Sequence, residues 1–280
     1  MQDASVGGLS VGHVPQGNRL ISYACAGNPL HPTIVFVPGI FLTPQSYERL
    51  LVEISHGGFH VVSIPLVDKG KLGGREPKDF AANFWNRVDA LYEAGVISSP
   101  LLALSGHSGG GWLVTAAAFY RPESVPALIL LHASQGEDYD LAMKRPVKFV
   151  SDLASEVYSY TKQRKPLVDT ATLLVTRWGE HRQIIDAMGE HQLNDHLIRL
   201  LEKGIRHAQV LHSDRDYLVT EVGIKAQADA LRVEVDVMKG HHGACIVNPS
   251  QYSRKIVQRL RDDRALFDRV VGSGSLSHSI

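Results

Sequence analysis

Leu101-Leu102-Ala103-Leu104-Ser105-Gly106-His107-Ser108-Gly109-Gly110-Gly111-Trp112 runs from an apolar stretch into an alanine-rich one, where Val114 is followed by Ala116, Ala117 and Ala118. The first half reads as a buried strand and the second as a helix. Gly-x-Ser-x-Gly at 106–110 stands at the junction. On its own that pattern is common, and a flexible loop accounts for it equally well. Between a strand and a helix it has a mechanical meaning. A sharp turn there forces Ser108 into a strained backbone conformation, and glycines on either side remove side chains that would collide. The serine oxygen is then raised above the sheet, and the N–H of Gly109, at the helix start, can face a developing oxyanion.

The flanking sequence repeats the strand–helix alternation. Thr33–Val37 is a continuous β-branched and apolar run that stops at Pro38-Gly39. Residues 44–56 have helical spacing, with Tyr47, Leu50, Leu51 and Ile54 on one side. Phe59–Pro65 reads as a strand, 77–94 as a helix, 109–120 as the next helix and Ala127–Leu131 as another strand. Alternation breaks after His132 and resumes at Ala208–Leu211, with a helix over 220–230, a strand at Val233–Val237 and a helix over 249–263. Between these parts, 135–206 shows helical patterns only. Val147, Val150, Leu153, Val157 and Tyr160 mark one helix, and Leu193, Ile198, Leu200 and Leu201 a later one. Arg19–Cys25 suits an opening hairpin. The fold class is therefore α/β, a mostly parallel doubly wound sheet. A core of 1–134 and 207–270 carries a helical insertion at 135–206, and 271–280 is a Gly/Ser-rich tail.

The elbow stretch resembles the nucleophile elbow of the α/β-hydrolase superfamily, in its serine branch with a helical cap. The alternation resembles that fold from about residue 32 to 263 apart from the insertion. Branches with aspartate at the elbow do not fit, because position 108 is Ser. The resemblance implies the chain order Ser, acid, His. His212-Ser213-Asp214-Arg215-Asp216-Tyr217-Leu218-Val219 is similar to the acid-bearing turn, with Ser213 in place of the usual Gly and the acid on Asp216. Asp214 is the rival, and a turn-forming aspartate explains either one. A minority of the superfamily carries the acid after the preceding strand, where Glu137, Asp138 and Asp140 stand. The base falls on His242 of Gly240-His241-His242-Gly243, with Pro249 at the spacing that selects it over His241. The loop after Thr33–Val37 implies a second oxyanion donor at Ile40, with Phe41 as rival; an ordinary strand-end turn also explains Pro38-Gly39. The insertion corresponds to a cap that excludes water and shapes a pocket. Trp178, Phe149 and Tyr158 either line that pocket or pack the cap's own helices.

Ser108 needs a base and an orienting acid to attack near neutral pH. The expected activity is a serine hydrolase of carboxylic-ester type acting on a small to medium, largely apolar acyl substrate through Ser108, His242 and Asp216. Three rivals stand beside it: a C–C bond hydrolase, a cofactor-free oxygenase suggested by Gly110-Gly111-Trp112, and a ligand receptor on the same fold.

Composition bounds the rest. The 280 residues are 44% hydrophobic and 21% charged, with Lys+Arg and Asp+Glu both 29. A zero formal charge favours neither nucleic acid nor an anionic membrane as partner. Cys25 and Cys245 form no CxxC pair and are expected as free thiols. No signal-peptide pattern opens the sequence, so a cytoplasmic location is expected. Among 14 histidines no His-Glu-x-x-His spacing occurs, and no metal or cofactor is implied. Gly70, Gly73 and Gly74 with Lys71 and Arg75 do not match a phosphate-binding loop and read as a surface loop. The oligomeric state is left open.

Overall fold

The computed structural model describes residues 8–67, 74–134, 164–263 and 266. Eight strands form a single sheet in the order β1-β2-β4-β3-β5-β6-β7-β8. β1 (Ser10–Gln16) and β2 (Arg19–Ala26) are a hairpin closed by Gly17-Asn18, and β2 pairs antiparallel with β4 (His60–Ser63). From there β3 (Thr33–Val37), β5 (Leu101–His107), β6 (Ala127–Leu131), β7 (His207–Ser213) and β8 (Val235–Met238) are parallel. Apolar side chains on both faces explain why β3 and β6 read as unbroken apolar runs. β3 shows this: Ile34 and Phe36 point into one core, Val35 and Val37 into the other.

Helices cover each face. α1 (Glu48–Ser55), entered through a 3-10 turn at Pro44–Tyr47, lies with α8 (Ala244–Val247) and α9 (Pro249–Asp262) on one side. α2 (Pro77–Glu93), α3 (Gly109–Tyr120), α6 (Asn194–Glu202) and α7 (Glu221–Leu231) lie on the other. α4 (Arg164–Thr176) and α5 (Trp178–Glu190) complete the described helices. The helix expected over Val147–Tyr160 lies outside the described residues, as do Phe149 and Tyr158.

Within 164–206 the elements divide. α6 packs on α3 and α7, flanking the sheet, whereas α4 meets the 3-10 turn after β3, and α5 meets the start of α3. Of the residues that mark α6, Ile198 is 51% exposed; Leu197 and Leu200 are the buried pair. Their separation of three, with Leu193 four residues earlier, follows the helical turn better. Cys25 and Cys245 are free thiols.

Candidate active site

The turn between β5 and α3 holds Ser108 at φ 53° and ψ −123°, a region that side chains enter at a cost of roughly 1–3 kcal/mol. Packing enforces it. A Cβ on Gly106 would run into the Gly110 carbonyl, and one on Gly110 into the carbonyls of Val37 and Pro38. The turn is also tied to its neighbours, since Ser108 N donates to Leu131 O at 2.9 Å and Gly111 N donates to Ser108 O at 2.9 Å. Ser108 alone among residues 101–110 is only partly buried.

His107, one residue earlier, connects two sides of this turn. Its Nε2 lies 2.9 Å from the His242 carbonyl oxygen and its Nδ1 lies 2.6 Å from the Tyr47 hydroxyl. A carbonyl only accepts, so Nε2 carries the proton and Nδ1 accepts from Tyr47. Tyr47 in turn accepts from Gly39 N at 3.1 Å. Burial, followed by the neighbouring His242 and His132 rings, holds His107 well below the ordinary imidazole value, so it is neutral. The rings of His107 and His242 are 4.8 Å apart. Ser108 is therefore one residue from a direct contact with the His242 backbone, and positions 108 and 242 share one end of the sheet.

His242 follows β8. Its Nδ1 lies 2.9 Å from Asp216 Oδ2, and their side chains are 6% and 0% exposed. Asp216 Oδ1 accepts from Leu218 N at 2.9 Å and Val219 N at 3.0 Å. Burial pushes the Asp216 carboxyl up, but the His242 charge and the hydrogen bonds from His132 and His242 outweigh it, and the group is held well below the usual carboxylate range.

The rivals sit elsewhere. Asp214, its side chain 45% exposed, accepts from Gly240 N at 2.9 Å. That bond ties the β7 loop to the loop carrying His242, which is a structural task. His241 faces Tyr217, with ring centroids 5.9 Å apart. Glu137, Asp138 and Asp140 lie outside the described residues.

On the opposite side of Ser108, the loop after β3 brings Ile40 against the elbow, and a Cβ on Gly109 would touch Ile40 Cγ1 and approach Met188 Sδ of α5. Phe41 spends its N–H on His181 Nδ1 at 3.4 Å. Among the described residues the N–H groups of Ile40 and Gly109 meet no acceptor. Phe41 also stacks on Trp178, with centroids 5.7 Å apart and planes within 5°. Trp178 stays 47% exposed. Asp169 of α4 accepts from Thr43 Oγ1 at 2.6 Å and Ser46 Oγ at 2.8 Å, pinning the helix over the loop. Beneath it lies a cavity of about 200 Å³ bordered by Tyr23, Thr43, Gln45, Arg177 and His181. A separate cleft of about 1040 Å³ opens at the other ends of the strands, beside Leu101, Val125 and Arg206, away from these groups.

Three residues of this site were not singled out from the sequence. His132 at the end of β6, Tyr252 of α9 and Tyr47 are each buried and bonded to the groups above. His132 had a readable signal: it directly follows an apolar strand, and such strand ends border the site in open α/β sheets. Tyr47 and Tyr252 read as ordinary core aromatics. His132, Asp216 and His242 also offer atoms within 4.8 Å of one another, a spacing a metal ion could bridge. The 2.9 Å separations equally suit N–H donation to a carboxylate, which needs no ion.

No protein-family profile matches the chain. A protein of Mycobacterium phage D29 with the provisional name non-heme haloperoxidase is 28% identical over 119 residues, 42% of this chain; the match spans only 41% of the phage protein's length. A bromoperoxidase from Bacillus anthracis superposes with a TM-score of 0.68 at 16% identity, covering 90% of this chain and 100% of its own. A carboxylesterase from the ammonia-oxidizing thaumarchaeon Nitrososphaera gargenis superposes with a TM-score of 0.68 at 17% identity, covering 90% and 98%. Among the described residues no helix is long and apolar enough to cross a membrane.

Proposed function

We propose that this chain, which has the α/β-hydrolase fold, is a serine hydrolase acting on a small to medium, largely apolar ester or related acyl compound. Ser108 is the nucleophile, His242 the base and Asp216 the acid that orients it. The observation that carries the reading is the strained Ser108 turn at the end of β5, fixed through His107 to the backbone of a histidine whose Nδ1 meets a buried carboxylate. In this reading His242 Nε2 takes the Ser108 proton and the serine oxygen adds to the acyl carbonyl. The N–H groups of Gly109 and Ile40 hold the oxyanion; one such donor typically contributes about 10²–10³ in kcat. The His242 proton then passes to the leaving alcohol. Water, deprotonated by His242, resolves the acyl-enzyme and returns Ser108.

Ile40 and Met188 beside Gly109 support an apolar acyl group. α4 and α5 are the described part of the proposed cap, lying over the oxyanion loop, whereas α6 flanks the sheet. The non-heme haloperoxidase name of the phage relative makes oxidative chemistry the contrast to test.

The test is a series of p-nitrophenyl esters of rising acyl length, with Ser108→Ala as control and a fluorophosphonate probe read out by peptide mapping. Hydrolysis that disappears in the variant, together with labelling at Ser108, is the expected result. Most of the activity surviving in Ser108→Ala, or a requirement for O₂, sinks the proposal.

A further inference from the structure

Asp216 Oδ2 receives two imidazoles, not one. His132 Nδ1 lies 2.9 Å from it, the same distance as His242 Nδ1. His132 comes from the end of β6, is fully buried and stands at φ 46°, in the left-handed region. Its backbone is fixed there by the bond from His132 N to Leu211 O at 2.8 Å. Its other nitrogen, Nε2, lies 2.8 Å from the Tyr252 hydroxyl, which lies 2.8 Å from Ser213 Oγ.

The proton on His132 is determined. The carboxylate can only accept, so Nδ1–H donates. Burial above all pulls the His132 pKa down to about 4, so near neutrality the ring carries one proton and Nε2 accepts from Tyr252. Ser213 Oγ lies within reach of both, 2.8 Å from the Tyr252 hydroxyl and 3.4 Å from His132 Nε2. Burial raises the Tyr252 pKa, which keeps the phenol a donor. Ser213, where the superfamily turn usually has Gly, is the far end of this relay.

We infer that His132 is a positioning residue for the proposed acid–base pair: its second N–H fixes Asp216 Oδ2 and draws off part of its charge, so His242 stays unprotonated in more acidic solution than it otherwise would. The inference rests on the serine-hydrolase reading above. Its physical basis is competition. A carboxylate already holding Leu218 N, Val219 N and His132 Nδ1 has less charge left to stabilise an imidazolium at His242. Among the described residues, the other titratable groups facing His242 are His107 from β5 and His212 from β7. His107 is neutral for the reasons above, and burial lowers His212, whose Nδ1 is 3.7 Å from Asp216 Oδ2 and too far for a hydrogen bond. His132 is thus the one of the three that bonds the acid.

The variants separate position from bulk. Asn places an amide where His132 has Nδ1 and tolerates positive φ. Gln places its amide where His132 has Nε2, reaching Tyr252 and not Asp216. Ala removes both. In kcat/KM for a p-nitrophenyl ester against pH, His132→Ala and His132→Gln are expected to move the acidic limb upward by about half a unit or more. His132→Asn keeps it near the native position, and Tyr252→Phe moves it less than Ala does. NMR titration of the His242 ring in the same variants gives the shift without turnover. If Ala does not fold, Asn against Gln decides. An unmoved limb and titration in both Ala and Gln, whatever happens to kcat or Tm, overturn the inference. Activity that persists in Ser108→Ala instead overturns the hydrolase reading, and the NMR titration still tests the His132–Asp216–His242 coupling by itself.

Discussion

The two sides of Ser108 are built differently. On the side of β6, β7 and β8, the groups centred on Asp216 are matched in chains: both its oxygens are taken, both nitrogens of His107 and of His132 are taken, and Tyr252 links to Ser213, while His212 Nδ1 and Gln209 Oε1 nearby have no partner among the described residues. On the side of the β3 loop and the overlying helices, Arg177 Nε and Nη2 and His181 Nε2 are buried without a hydrogen-bond partner among the described residues, although Glu180 Oε1 is 3.6 Å from Arg177 Nε. Matched buried groups define one arrangement, because displacing any of them strands its partner at about 1–3 kcal/mol. Unmatched groups impose no such penalty on movement. The first side is suited to hold the proposed catalytic groups still, and the second to adapt to what would bind.

That contrast can be broken by experiment. The largest effect is expected from Asp216→Asn. It leaves the volume unchanged but takes the acceptor from both histidines, and kcat should fall by about 10⁴, the size seen when the triad acid is neutralised in serine proteases. Steady-state kinetics on a p-nitrophenyl ester checks it, and a loss below tenfold would contradict the assignment.

Stability against pH comes next. His60, His132 and His181 are each lowered to about 4, chiefly by burial. Between about 4 and 6.5 the unfolded chain binds protons that the folded one refuses, so stability is full above 6.5 and is lost as pH falls toward 4. Scanning calorimetry should show Tm dropping through that window by an amount worth roughly a few kcal/mol. A flat Tm from 7 to 4.5 would refute it.

Smaller effects are expected on the adaptable side. Asp169→Asn weakens two charge-assisted bonds to Thr43 and Ser46, and should raise KM several-fold while kcat stays within about threefold. An equal loss in kcat would place α4 with the rigid side. Trp178→Ala removes a half-exposed ring stacked on Phe41, and should lower stability by about 1 kcal/mol in urea unfolding, with a modest change in KM.

How far the sequence could be read follows the same division. Continuous apolar runs such as Ala127–Leu131 and the glycines at the elbow reflect local constraints, so the parallel sheet and the strained turn at Ser108 were legible. The pairing of Asp216 with His242, and the different posts of Asp214 and His241, agree with the chain order that the superfamily resemblance implies. His132, Tyr252 and Tyr47 were not found, because their importance lies in what they touch across 60 or more residues of chain. Which residues of α6 face inward has a similar origin: residues 197, 198, 200 and 201 are all apolar, and packing against α3 and α7 decides among them.

One chain of hydrogen bonds runs underneath the proposed nucleophile. From Gly39 through Tyr47 and His107 to the carbonyl of His242, it joins the strand end that would steady the oxyanion to the loop that would move the proton. The two tasks therefore share a single mechanical reference. A substitution that reshapes one will be felt by the other. Any attempt to retune this chain toward a new leaving group or acyl group has to treat positions 39, 47, 107 and 242 as one unit, since each sets the tolerance within which the next is free to vary.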